Sequence, residues 1–319
     1  MGGRRTVAAM TSRLTRALAA GATAALLSGG LLACGDDQEQ EAAPAPTPSS
    51  DEERGEQGSR QGARGSDYPS YVALGDSYTS APFVPETDRD DGCLRSSGNY
   101  PSLVAAELGS ELTDVSCAGA QTLSLVGVQR TFDGESRPAQ FDALDEDTDL
   151  VTLGIGGNDF GLFSTLASGG LAVGEVEADD VVGDITEQLD QVSDRVTSAL
   201  AGVADRAPDA RVILVGYPRL VPAQGTCSAL PLDDEALPVA RTLNRGLADA
   251  LENAAERAEV EYVDLYALSQ GHDICSDDPW VNGQENDPER ALAFHPFAAG
   301  QEAVADELLR LLSEPVPNA

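Results

Sequence analysis

Three short apolar runs, each closing on a glycine, limit what this chain can fold into. They are Tyr71-Val72-Ala73-Leu74 before Gly75, Val151-Thr152-Leu153-Gly154-Ile155 before Gly156, and Arg211-Val212-Ile213-Leu214-Val215 before Gly216. A continuous apolar run, unlike an alternating one, describes a strand buried on both faces, as in a parallel sheet. Thr113 to Ser116 and Val260 to Asp264 read as weaker strands. Helical segments lie between them: Tyr100 to Leu108, Val181 to Ala207, and Leu237 to Arg257, where Leu243, Leu247 and Leu251 fall four apart on one face. Pro296 to Leu312 reads as a last helix, its proline placed where a first helical residue tolerates a missing N–H. The alternation predicts a three-layer α/β/α domain on a mainly parallel sheet with helices on both faces.

Such sheets build their sites at the carboxyl ends of strands. Ser77 follows the first run in Gly75-Asp76-Ser77, Gly119 follows the second strand in Cys117-Ala118-Gly119, and Asn158 follows the third in Gly156-Gly157-Asn158-Asp159. A serine hydroxyl is a weak nucleophile until a base takes its proton. The chain has two histidines, His272 and His295, so an imidazole base must be one of them. An asparagine amide and backbone N–H groups from Gly119 and Ser77 suit a developing oxyanion. Asp76 and Asp159 read as loop-bracing residues. The Gly-x-Ser-x-Gly elbow of α/β-hydrolases is absent. His, Cys and Asp show no metal-ligand spacing, so neither a metal nor a cofactor is expected.

The four blocks, ending with Phe294-His295-Pro296, resemble the SGNH (GDSL-type) hydrolases over roughly Tyr68 to Leu312. Cys93-Leu94-Arg95-Ser96, Asn99-Tyr100-Pro101 and Gly271-His272-Asp273-Ile274-Cys275 are similar to the secreted lipase and esterase branch of actinobacteria. The resemblance implies Ser77 as nucleophile, His295 as base, and Ser77, Gly119 and Asn158 as the oxyanion hole. It also implies an SGNH-hydrolase (flavodoxin-like) architecture and carboxylic esters as substrates, with acylglycerols the usual assignment.

One position departs from the family pattern. Many members carry Asp three residues before the histidine, and Leu292 stands there. Some members of the branch orient the imidazole with a backbone carbonyl at that place, which nominates the Leu292 C=O and a Ser-His dyad. Asp287, on the preceding loop, is the runner-up acid. His272 has Asp273 beside it, but adjacent side chains seldom orient one another well, so it reads as a rim histidine.

Residues 1–33 read as an export signal: Arg4, Arg5, Arg13 and Arg16 without an acid, then an apolar stretch of small residues and leucines. Leu31-Leu32-Ala33-Cys34 resembles a lipobox, in which Cys34 is lipidated; ordinary cleavage is the alternative. Residues 34–67 are Asp-, Glu-, Gln-, Pro-, Ser- and Gly-rich, too polar to bury a core, and read as a disordered tether. Residues 68–319 remain for one hydrolase domain.

Without Cys34, four of the five cysteines are left, and an exported chain meets an oxidising compartment. Three pairings are possible from the residues alone; the resemblance implies Cys93 with Cys117 and Cys227 with Cys275.

The chain has no lysine and a net charge of −34, which repels nucleic acid and anionic headgroups. The expectation is an exported, monomeric serine esterase or lipase acting on a small ester or lipid, with membrane contact only through an N-terminal anchor. Two rivals are a carbohydrate acetyl esterase on the same site and a non-catalytic acidic surface lipoprotein. A single tryptophan, Trp280, weighs against a sugar-stacking groove.

Overall fold

The chain is seen in a computed structural model that describes residues 67–315 apart from 168–177, 231 and 235. The export signal, Cys34 and nearly all of the tether lie outside the described residues. The strands are β1 Ser70–Gly75, β2 Glu111–Asp114, β3 Gln129–Arg130, β4 Ser136–Arg137, β5 Leu150–Gly154, β6 Arg211–Val215 and β7 Glu261–Val263. The helices are α1 Ser77–Ser80, α2 Tyr100–Leu108, α3 Leu162–Ala167, α4 Ala178–Ala204, α5 Ala236–Ala258, α6 Leu265–Leu268 and α7 Ala298–Leu312. No helix among the described residues is long and apolar enough to cross a membrane.

Five strands pair in the order β2-β1-β5-β6-β7, all parallel, and β3 with β4 forms a small antiparallel hairpin. The apolar runs are continuous because both faces are covered. Val72 and Leu74 of β1 join the core beneath α4 and α5, while Tyr71 and Ala73 join the core beneath α2 and α7. Leu214 of β6 takes the first side, Ile213 and Val215 the second. Each such Val, Leu or Ile side chain, fully buried, stabilises the fold by about 1.5–3 kcal/mol. Leu243, Leu247 and Leu251 form the buried stripe of α5.

Strand order reverses between β1 and β5. Chain leaving β1 turns to one side of the sheet and chain leaving β5 to the other, which opens a crevice at their carboxyl ends. Gly75, the last residue of β1, has to be a glycine: a Cβ there would lie 2.7 Å from the Gly154 carbonyl of β5.

Two of the differences from the sequence reading bear on the site. Strand β2 ends at Asp114, two residues before the run read as Thr113 to Ser116 is complete. Beyond it the Asp114 carboxylate accepts from the N–H and hydroxyl of Ser116, drawing the chain into a turn. Helix α7 begins at Ala298 and not at Pro296. Pro296 instead bridges Val281, and the Phe297 N–H donates to Trp280 O, so His295 sits at the end of a turn ahead of the helix.

Candidate active site

Ser77 is the first residue of α1, directly after β1. Asp76 caps that turn by accepting the Tyr78 N–H at 2.9 Å. The cap holds Ser77 at the crevice, where its Oγ lies 2.7 Å from His295 Nε2. His295 arrives from the far end of the chain. Its backbone carbonyl accepts from the Asn282 N–H, and the Tyr78 hydroxyl donates to Phe294 O at 2.6 Å.

The His295 Nδ1 meets the carbonyl of Ala293 at 2.7 Å. This corrects the expectation for Leu292. The Leu292 carbonyl accepts from the His295 backbone N–H and from Asn282 Nδ2, so it is held in the turn and away from the ring. Phe294 adopts φ +61°, and that left-handed residue swings the Ala293 carbonyl against the imidazole. Asp287 is not the partner either. Its carboxylate accepts from the Glu289 N–H in its own turn. A carbonyl only accepts, so Nδ1 carries the hydrogen and the Nε2 lone pair faces Ser77.

Burial lowers the His295 pKa to about 4, against the raising effect of the Ala293 carbonyl. The ring is therefore neutral near pH 7 and able to accept a proton. Tyr78 covers one side, its ring 5.1 Å from the imidazole and stacked on Phe163.

Gly119 lies on the loop after β2, at φ +78°, a conformation that favours glycine. The disulfide Cys93–Cys117 and the bond from the Ala118 N–H to Cys93 O anchor that loop. The Gly119 N–H meets no acceptor among the described residues, and the Ser77 N–H, at a helix start, has none within its helix. Asn158, after β5, gives one amide hydrogen to Ala120 O at 2.9 Å. Asp76 Oδ2, at 3.4 Å, is its other, looser partner. Ser77, Gly119 and Asn158 thus lie past the carboxyl ends of β1, β2 and β5, and the Ser77 hydroxyl faces a neutral imidazole.

Asp76 is fully buried, and burial pushes its carboxyl up to about 7 against the lowering effect of the Tyr217 hydroxyl and the Tyr78 N–H. Tyr217 Oη donates to Asp76 at 2.6 Å and accepts from the Gly157 N–H. Asp159 accepts from the Thr122 N–H and hydroxyl and pairs with Arg195 at 2.8 Å. Sequence reasoning passed over Tyr217, Arg195 and the Ala293 carbonyl. For Tyr217 a signal existed, since Gly216-Tyr217-Pro218 follows β6 as the other blocks follow their strands.

His272 is placed elsewhere. It stacks on Trp280 with ring centroids 4.1 Å apart, and its Nδ1 meets Asp278 O. The second disulfide, Cys227–Cys275, closes the loops near it. The described residues hold no group of three or more His, Cys, Asp or Glu placed to bind a metal ion.

Residues 73–303 match the GDSL-like Lipase/Acylhydrolase family. Lipase 2 of Streptomyces coelicolor is 36% identical over 260 residues, covering 76% of this chain and 85% of that one. A lipase of Streptomyces rimosus is 32% identical over 244 residues, 72% of this chain and 82% of its own. Among solved structures, the extracellular lipase of Streptomyces rimosus superposes with a TM-score of 0.63 at 26% identity, covering 76% of this chain and 98% of that one. The phospholipase A1 of Streptomyces albidoflavus gives 0.60 at 28%, with 76% and 99% covered. With the sheet, the crevice and these likenesses together, the chain belongs to the GDSL-like lipase/acylhydrolase family and is a carboxylic ester hydrolase.

Proposed function

We propose that the protein is an exported serine lipase or esterase that cleaves acylglycerol-type esters through an acyl-enzyme, with Ser77 and His295 as a dyad. The 2.7 Å approach of His295 Nε2 to Ser77 Oγ, with Nδ1 held by a carbonyl, carries this reading. Ser77 Oγ attacks the ester carbonyl as its proton passes to Nε2. The oxyanion is held by the N–H groups of Ser77 and Gly119 and by the Asn158 amide hydrogen that leaves its loose 3.4 Å contact with Asp76. As the C–O bond to the alcohol breaks, His295 returns the proton to the leaving oxygen. Water then attacks the acyl-Ser77 carbonyl, gives its proton to His295, and Ser77 departs and regains it. The Ala293 carbonyl steadies the transient imidazolium, a task an aspartate performs in a triad.

Export is supported by the leader at residues 1–33 and by the likeness to the extracellular lipase of Streptomyces rimosus. Anchoring through Cys34 belongs to the same proposal, with release after ordinary cleavage as its alternative. Two relatives named lipase support acylglycerols as the ester class.

The test is labelling by a serine-reactive fluorophosphonate beside a hydrolysis panel of graded acyl esters and acetylated xylan. Ser77→Ala should lose the label and nearly all turnover, while Asn158→Ala keeps the label and loses about 10²–10³ in kcat. A normal acyl-enzyme on Ser77→Ala, or faster release of acetate from xylan than of any longer acyl group, would sink the proposal.

A further inference from the structure

Five large apolar side chains stand exposed among the described residues, and four of them fall within ten positions: Leu123 at 63%, Val126 at 63%, Val128 at 71% and Phe132 at 76%. Their position is not arbitrary. The Phe132 ring comes within 3.5 Å of where a Cβ on Gly119 would lie, so the ridge begins at an oxyanion donor. Polar bonds fasten the same segment to the site. Gln121 Nε2 donates to Asn158 O, Thr122 is held by Asp159, and Gln129 Nε2 donates to Ala118 O. Side chains that could have turned inward are thus kept outward on a backbone tied to the catalytic loops.

The charge pattern says what can cover them. The chain carries 54 acidic residues, yet residues 115–132 contain none, and Arg130 is their single base. At its edges the charges are of both signs, with Asp133 after Phe132 and Asp194, Arg195 and Arg206 beside Leu123 and Val126, so a cationic partner finds no acidic patch, and an anionic surface is repelled by the rest of the molecule. An uncharged apolar phase suffers neither penalty. Contiguous exposed apolar side chains beside a site mark a docking surface.

We infer that the ridge Leu123, Val126, Val128 and Phe132 seats the enzyme on a net-neutral lipid surface, presenting aggregated long-chain esters to Ser77. This rests on the ester-hydrolase reading of the same site, and it adds that an aggregate, in preference to a dissolved ester, is the substrate form.

The test uses the full chain carrying Ser77→Ala, to prevent turnover, and Cys34→Ala, so that an introduced thiol is the free one. An environment-sensitive dye is attached at Val128→Cys or, at the opposite end of the sheet, at Asp209→Cys. Each protein is titrated with phosphatidylcholine vesicles bearing an acyl-chain quencher, and with phosphatidylglycerol vesicles.

The dye at 128 should be quenched several-fold more than the dye at 209. Adding Leu123→Ser and Val126→Ser should weaken the binding seen at 128 tenfold or more, and phosphatidylglycerol should bind less well. Equal quenching at the two positions, an unmoved affinity in the serine variant, or preference for phosphatidylglycerol would overturn the inference. So would lipid-free self-association of the Ser77→Ala chain that the two serines abolish, since the ridge would then join copies of the chain. Fatty acid release from the vesicles by the Ser77→Ala chain would instead count against the proposed mechanism, and the quenching pattern would still be readable.

Discussion

At His295 the partner atom is a main-chain oxygen, and mutagenesis should feel that. No side-chain exchange removes the Ala293 carbonyl, so Asp287→Asn and Asp273→Asn should each lose less than about tenfold in kcat/KM, a difference of about 1.4 kcal/mol. Loss of an orienting triad aspartate costs on the order of 10⁴. A thousandfold fall in Asp287→Asn with its fold intact would restore an aspartate to the mechanism.

In the proposed mechanism the same residue sets the acid limit of activity. Burial holds its pKa near 4, and the base works only when neutral. The acid limb of kcat/KM should therefore lie near pH 4, well below the usual histidine value of about 6.5. A limb near 6.5 would mean that the ring is solvated in solution.

At the scale of elements, α5 and the loop that carries Gly119 offer separate checks. Leu247 is fully buried in the α5 stripe, so Leu247→Ala should destabilise the protein by about 2–5 kcal/mol in denaturant unfolding. Its effect on KM should be small, because Leu247 itself packs in the core on the α4 and α5 side of the sheet. The disulfide Cys93–Cys117 lies two residues before Gly119 and carries both roles. Replacing both cysteines by Ala should cost about 2–4 kcal/mol, or roughly 4–16 °C in Tm. It should also lower kcat, since the bond from the Ala118 N–H to Cys93 O fixes the Gly119 loop. The alanine pair at Cys227 and Cys275 should cost stability while leaving kcat nearly intact, for that bridge lies in the loops around His272. Equal kcat losses for the two pairs would contradict this division.

For the whole molecule, stability should follow pH through Asp76. Its carboxyl is raised from 3.8 to about 7 in the fold, so between those values the folded chain binds a proton that the unfolded chain has released. The contribution is full below pH 4 and declines as pH rises toward 7. Asp76→Asn cannot titrate. The difference in Tm between wild type and Asp76→Asn should therefore move against the wild type from pH 4 to 7, and a flat difference would show that Asp76 is ionised throughout. His295 runs the other way: its lowered pKa costs stability as pH falls from about 6.5 to 4.

The sequence by itself determined the layers and the places where a site could form. A parallel strand covered on both sides must be apolar throughout, so β1, β5 and β6 showed as unbroken runs, and the residues just past β1, β2 and β5 were marked by position. Glycine at 119 and histidine at 295 were legible because few residue types can do what those places ask. Tertiary structure decided the rest. Whether Leu292 or Ala293 faces the imidazole depends on the left-handed turn at Phe294, which no side-chain pattern announces. Tyr217 reaches Asp76 across 141 positions of chain, and Arg195 reaches Asp159 across 36, so neither pairing has a local signal. The hairpin of β3 and β4 has two-residue strands, too short for any periodicity. The apolar residues beside it were visible as letters, but that they face outward was settled only when Asn158, Asp159 and Ala118 took hold of the loop's polar side chains.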